Sequence, residues 1–161
     1  MHRTIYQIMS APISEDEHIC ESDFFDHWFT KSIADYVSED VNRDVLIASF
    51  REWLENFGSC KFDEESASFT FYARFHESYF KYKYERFKKQ VELFEKITFQ
   101  EFCHDNSQIN SLLSNLQSAF SESFEDYVSS DEFEPITMDE FLRTAEIGKP
   151  YFIGGILDYH Y

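Results

Sequence analysis

Residues 76–97, HESYFKYKYERFKKQVELFEKI, constrain the fold of this chain more than any other stretch. Phe80, Tyr84, Phe87, Val91 and Phe94 recur at spacings of four, three, four and three, which places them along one side of a helix and predicts a long amphipathic element. The charged residues fall largely off that seam. Lys81 with Glu85, Glu85 with Lys89, Lys88 with Glu92 and Glu92 with Lys96 stand four apart with opposite sign, as self-paired helices often arrange them. Five of the fourteen basic side chains, Lys81, Lys83, Arg86, Lys88 and Lys89, are gathered here, in a chain whose formal net charge is −17.

The acidic excess lies on both sides of that stretch. Residues 1–73 carry a net −10, residues 74–96 a net +3, and residues 97–161 a net −10. Such a chain is repelled by nucleic acid and by anionic membranes and attracted to basic surfaces. Two segments hold much of the excess: ISEDEHICESD, with Glu15, Asp16, Glu17 and Glu21, and SESFEDYVSSDEFEPITMDE, with eight acidic residues between 122 and 140. Duplex DNA carries one charge per ~1.7 Å of axis, so seventeen charges match roughly 29 Å of duplex, against a radius of gyration of ~15 Å for a domain of this length. The alternative explanation of such acidic runs is solvated loops and helix starts.

At 161 residues the length prior is one domain spanning 1–161. Nineteen Phe and ten Tyr against four Gly and three Pro describe a well-packed chain with few turn-formers. No signal peptide and no membrane-length apolar run is visible, and the three cysteines, Cys20, Cys60 and Cys103, are odd in number and widely spaced. A cytoplasmic protein with reduced thiols is expected.

Along the chain, RTIYQIM (3–9) reads as a first strand, and Ser22 or Asp23 as the cap of a helix through 24–37. Asn42 is the expected start of a second helix ending at Gly58, with Val45, Phe50, Trp53, Leu54 and Phe57 on one side. CKFDEESASFTFYA predicts a β-hairpin turning at 64–66. After the long helix, Thr98 caps a short turn, Asn106 or Ser107 starts another helix, and FEDYVSS passes as a strand. Thr137 and Glu140 have capping-box spacing, Gly148 marks the expected helix end, and YFIGGILDYHY is a last strand. Its Gly154–Gly155 pair predicts a bulge or a close backbone approach. The fold class is α+β: a small mixed or antiparallel sheet against several helices, one of them long and central, with the first and last segments as plausible sheet partners.

Constellations for chemistry are missing. His18, Cys20 and His27, or Cys103 and His104, lack the paired short spacings of zinc sites. There is no G-x-S-x-G elbow, no cysteine-protease surround and no phosphate-cradling glycine loop. Carboxylate-rich nuclease chemistry would require the chain to hold a polyanion, which its charge opposes. The expectation is no catalytic residue, no metal and no cofactor.

RTIYQIM, FFDHWFTKSIADYVSED and TMDEFLRTAEIGKPYFIGGILDYHY together resemble small acidic accessory proteins of bacterial mobile elements, a group that includes Cas9-inhibiting anti-CRISPR proteins. The resemblance covers the two chain ends and carries over no functional residue. It implies stoichiometric binding to a target's arginines and lysines, with carboxylates standing in for DNA phosphates. Charge and resemblance together lead to the expectation of a non-enzymatic inhibitor of a bacterial defence nuclease, with a type II CRISPR effector (Cas9) as the partner. The expected partner-binding residues are Glu122, Glu125, Asp126, Asp131, Glu132 and Glu134, then Glu15, Asp16 and Glu17. The basic stretch is a second candidate patch, for an acidic part of the partner or for another copy of the chain. An antirestriction protein and an acidic adaptor without inhibitory activity stand as alternatives.

Overall fold

Strand β7 (Pro150–His160) organises the sheet. In the computed structural model, which describes residues 1–104, 106–120, 125–130 and 134–161, it pairs antiparallel with β1 (His2–Met9) along one edge. Along its other edge it pairs with β4 (Ser68–Phe71) near its start and with β2 (Tyr36–Ser38) near its end, both antiparallel. β3 (Cys60–Asp63) forms the expected hairpin with β4. β1 also pairs with β5 (Tyr127–Ser129), in parallel, and β5 with β6 (Pro135–Thr137), antiparallel. The described residues therefore contain a mixed seven-stranded sheet and six helices, an α+β fold.

The chain packs as two compact units, Met1–Phe75 with Phe124–Tyr161, and His76–Ser123. In the first, α2 (Arg43–Glu55) starts at Asn42, whose side chain accepts from Val45 N at 3.2 Å. Phe50 and Leu54 of α2 are buried, and the Phe50 ring meets Tyr6 and Phe69. Val45, expected on that side, is 57% exposed, because at helical spacing it points away from Phe50 and Leu54, and Leu46 and Ile47 are the half-buried apolar residues near the start of α2. The other face of the sheet packs Ile5, Leu157 and Tyr159 against Ile19, Phe24 and Phe29. Phe29 stands edge-on to Tyr127 and to Tyr159, and each side chain buried so completely contributes roughly 1.5–3 kcal/mol.

The single helix expected over 24–37 does not form. A 3-10 segment (Glu21–Phe24) gives way to Asp26 at φ 63°, a left-handed conformation that Asp tolerates better than most residues. A five-residue helix α1 (Trp28–Ser32) follows, capped by the His27 ring, and then β2. Pairing with β7 wins over helix propensity here. α6 (Met138–Thr144) is capped by Thr137 as expected but stops before Gly148. Gly148, at φ 81°, instead forms the turn into β7, its N–H donating to Phe71 O at 2.8 Å. β6 was not anticipated: it is three residues long and opens on proline, which an edge strand accommodates.

The glycine pair in β7 is a bulge. Tyr6 faces Ile156 and Ile8 faces Ile153, so β7 carries one extra residue between these pairs. A Cβ on Gly154 would lie 2.3 Å from Gln7 Oε1, and one on Gly155 2.7 Å from Ile19 O. Gln7 itself is 2% exposed and ties this place together. Its Oε1 accepts from Gly155 N at 2.8 Å and from Ile19 N at 3.1 Å, and its Nε2 donates to Glu17 O at 2.9 Å. On the far edge Arg43 donates to the carbonyls of Gly154 and Ile153 at 2.9 and 2.8 Å.

The second unit contains α3 (Phe75–Phe94), α4 (Phe99–His104) and α5 (Asn106–Phe120). Thr98 and Glu101 cap α4 reciprocally, with Thr98 N donating to the carboxylate at 2.8 Å and Glu101 N to the hydroxyl at 3.2 Å. Phe80, Phe87, Val91 and Phe94 are half-buried as the seam predicts, but the covered arc is turned toward Lys83 and Arg86 and leaves Tyr84 61% exposed. Among the described residues no helix is long and apolar enough to cross a membrane.

Candidate functional site

The acidic charge is divided unequally between the two units. The sheet unit has twenty-four acidic and eight basic residues, a net −16, whereas the helical unit has seven and six, a net −1. The basic stretch therefore balances the acidic residues of its own unit, whereas the sheet unit keeps an excess of sixteen negative charges.

Glu15, Asp16 and Glu17 form an exposed 3-10 turn. Ser14 N and Oγ both donate to the Glu17 carboxylate, at 3.2 and 2.6 Å, and hold its pKa below the usual carboxylate range. Below the turn, Ile19 is buried in the core, and the Gln7 side chain grips Glu17 O and Ile19 N. Three carboxylates are thus presented to solvent on a backbone fixed to the middle of the sheet. Glu15 and Asp16 have nothing to lose by engaging a cation, while Glu17 also serves the turn.

The second expected cluster does not form one surface among the described residues. Glu125 is buried, and its backbone carbonyl accepts from Tyr159 OH at 2.8 Å. Asp126 is half-buried, accepts from Thr4 N at 3.1 Å, and has its pKa raised chiefly by that burial. Both sit at the entrance to β5, where the parallel pairing with β1 turns them inward. Glu134 is exposed and accepts from Trp28 Nε1 at 2.7 Å. Glu122, Asp131 and Glu132 lie outside the described residues.

No protein-family model, curated protein or solved structure matches this chain. The functional reading rests on its own residues.

The basic patch is divided as well. Lys81, Lys88 and Lys89 are exposed on α3. Lys83 is half-buried with its ammonium 5.6 Å from the Tyr79 ring centre, and Arg86 donates to Ser118 Oγ on α5 at 3.2 Å. Among the described residues, none of the four expected i,i+4 pairs closes to ion-pair distance, and Lys96 of the fourth lies past the end of α3. Lys88 lies instead 5.9 Å from the Tyr84 ring centre. No group of three or more His, Cys, Asp or Glu among the described residues could hold a metal ion.

Three acidic residues border a hollow that the broken 24–37 segment leaves. Glu21, Asp26 and Asp35 line an open cavity of about 300 Å³ with Phe24, Phe25, Thr30, Tyr36 and Val37. Asp26 and Asp35 were not singled out from the sequence. The hollow exists only because the helix breaks at Asp26 and the chain returns to the sheet as β2, and no local spacing announces that.

Proposed function

We propose that this protein is a non-enzymatic inhibitor of a bacterial defence nuclease, with a type II CRISPR effector (Cas9) as its target, acting by offering carboxylates to the basic surface that otherwise holds DNA. The observation that carries the reading is the net −16 confined to the sheet unit, together with the rigid presentation of Glu15, Asp16 and Glu17. Sixteen charges correspond to about 27 Å of duplex, and a body of 113 residues has a radius of gyration of ~13 Å, so the two charge densities are comparable. A carboxylate engages a guanidinium with two hydrogen bonds much as a phosphate does. Preformed carboxylates spare the partner the ordering cost that a flexible acidic tail would carry. No residue is assigned a catalytic role.

Gel-shift competition tests the proposal: purified protein titrated against a Cas9–guide complex and labelled target DNA. Loss of the DNA shift at near-stoichiometric protein is the expected result. An intact shift with blocked cleavage would move inhibition to a step after DNA binding and turn attention to Lys81, Lys88 and Lys89. An intact shift with normal cleavage would overturn the proposal for this effector. Block of a restriction enzyme's DNA binding in its place would make the chain an antirestriction protein, and binding to a basic partner without any block would make it an adaptor.

A further inference from the structure

We propose that the cavity between the 3-10 segment Glu21–Phe24, α1 and β2 is a pocket for a single arginine side chain of the partner. This rests on the reading of the protein as a binder of a basic surface and names the contact that such a surface would make.

The lining has two chemistries that converge on a flat cation. Phe25 is 69% exposed and Tyr36 48% exposed, and both share the lining with Glu21, Asp26 and Asp35. Phe25 is one of several exposed aromatic rings in this protein, and it stands among the residues that line the hollow. Tyr36 is held in place by stacking on the His160 ring at 5.4 Å, and Thr30 Oγ1 is occupied by the carbonyls of Phe24 and His27. The walls are therefore fixed by contacts that do not use the opening.

The carboxylates are unequally engaged. Asp26 holds Lys31 at 2.6 Å, and Asp35 is met by His160 Nδ1 at 3.1 Å. The Glu21 carboxylate has no partner among the described residues, and Glu39 joins the cluster by accepting from Glu21 N at 3.3 Å. The three acidic residues of the lining thus have one lysine and one histidine between them, which leaves the site negative. Ligand pockets usually span roughly 300–1,000 Å³, so a cavity of about 300 Å³ is at the small end and suits one side chain. A guanidinium lies flat on an aromatic ring and directs N–H groups to two acceptors at once. A lysine ammonium bonds a carboxylate but is a compact, strongly hydrated charge that gains less from an aromatic wall.

The test is an NMR titration of the isotope-labelled full chain with N-acetyl-arginine amide, N-acetyl-lysine amide and N-acetyl-citrulline amide, the last isosteric with arginine and uncharged. The expected result is saturable shifts confined to Phe25, Asp26, Thr30 and Tyr36 with the arginine probe, in the millimolar range that so small a ligand reaches. Lysine and citrulline should bind at least tenfold more weakly. Glu21→Gln with Asp35→Asn should lower the arginine affinity at least tenfold, and Phe25→Ala should narrow the gap between arginine and lysine. No saturable shift at these residues, or binding of the lysine or the citrulline probe as tight as that of arginine, would overturn the pocket. The titration uses no effector, so its failure is separate from that of the functional reading. A positive titration with an intact DNA shift and normal cleavage would remove the inhibitor and keep the pocket, and a lost shift with no saturable titration would keep the inhibitor and remove the pocket.

Discussion

Gln7→Ala is the sharpest test of how the acidic turn is held. The carboxamide serves two N–H groups and one carbonyl, all from buried or half-buried backbone that meets at the β7 bulge. Truncation leaves these three groups without their partner. A buried group stripped of its hydrogen bond costs ~1–3 kcal/mol, so the full penalty is about 3–6 kcal/mol after a water entering the vacated space recovers part of it. That is a large share of the ~5–15 kcal/mol by which a domain is ordinarily stable. Both tryptophans, Trp28 and Trp53, belong to the sheet unit, so urea unfolding followed by their fluorescence reads the unit that contains Gln7. The expected result is a loss of about 3 kcal/mol or more, with hydrogen exchange accelerated at the amides of Ile19 and Gly155. A loss below about 1 kcal/mol with both amides still protected would refute the argument that this side chain fastens the turn to the sheet.

Gly155→Ala should lower the unfolding midpoint more than Gly58→Ala does in the same thermal scan. A Cβ at 155 meets the Ile19 backbone at 2.7 Å, whereas at 58 the space is open and only the φ of 68° resists. Glu15→Lys combined with Asp16→Lys should weaken binding to a DNA-free effector at least tenfold by calorimetry. Its unfolding free energy should stay within about 0.5 kcal/mol of the parent, because Glu17 still closes the turn. Glu125→Gln should leave that affinity unchanged, since the side chain is buried away from the partner. Asp126 has a raised folded pKa, so its folded form binds the proton more tightly than the unfolded chain does. Its contribution to stability is then greatest below about pH 4 and declines as pH rises through the raised pKa. Asp126→Asn keeps an acceptor for Thr4 N and should remove that decline from the urea stability measured across acidic pH.

Local signals were legible where they are local in physics. Asn42 caps α2, Thr98 with Glu101 caps α4, and Thr137 caps α6, each through a side chain that reaches its own first turn. The 60–71 hairpin and the glycine bulge were legible for the same reason. The 24–37 segment was misread because pairing with β7, more than a hundred residues away, overrides an apolar spacing that suits a helix. The site divides along the same line. Glu15–Glu17 are acidic and flanked by a self-contained cap, so sequence and structure agree that they face water. Glu125 and Asp126 look no different in the sequence, and only the parallel pairing of β5 with β1 decides that they turn inward. The seam of α3 gave the long helix, but Tyr84 shows that periodicity fixes the covered arc only to within a residue or so.

The place of β7 at the hub of the sheet has a kinetic consequence. It joins β1, β2 and β4, yet it follows all of them along the chain, and its pairing with β1 closes a loop of about 150 residues. A ribosome delivers β1 and β2 well before β7, so their edges toward β7 must wait while the β3–β4 hairpin and α3–α5, whose contacts are short in sequence, are free to form at once. The charge that surrounds those waiting strands is itself a safeguard, for chains carrying so many like charges repel one another. The same carboxylates that we propose to be offered to a basic partner would then keep half-made sheets apart during synthesis.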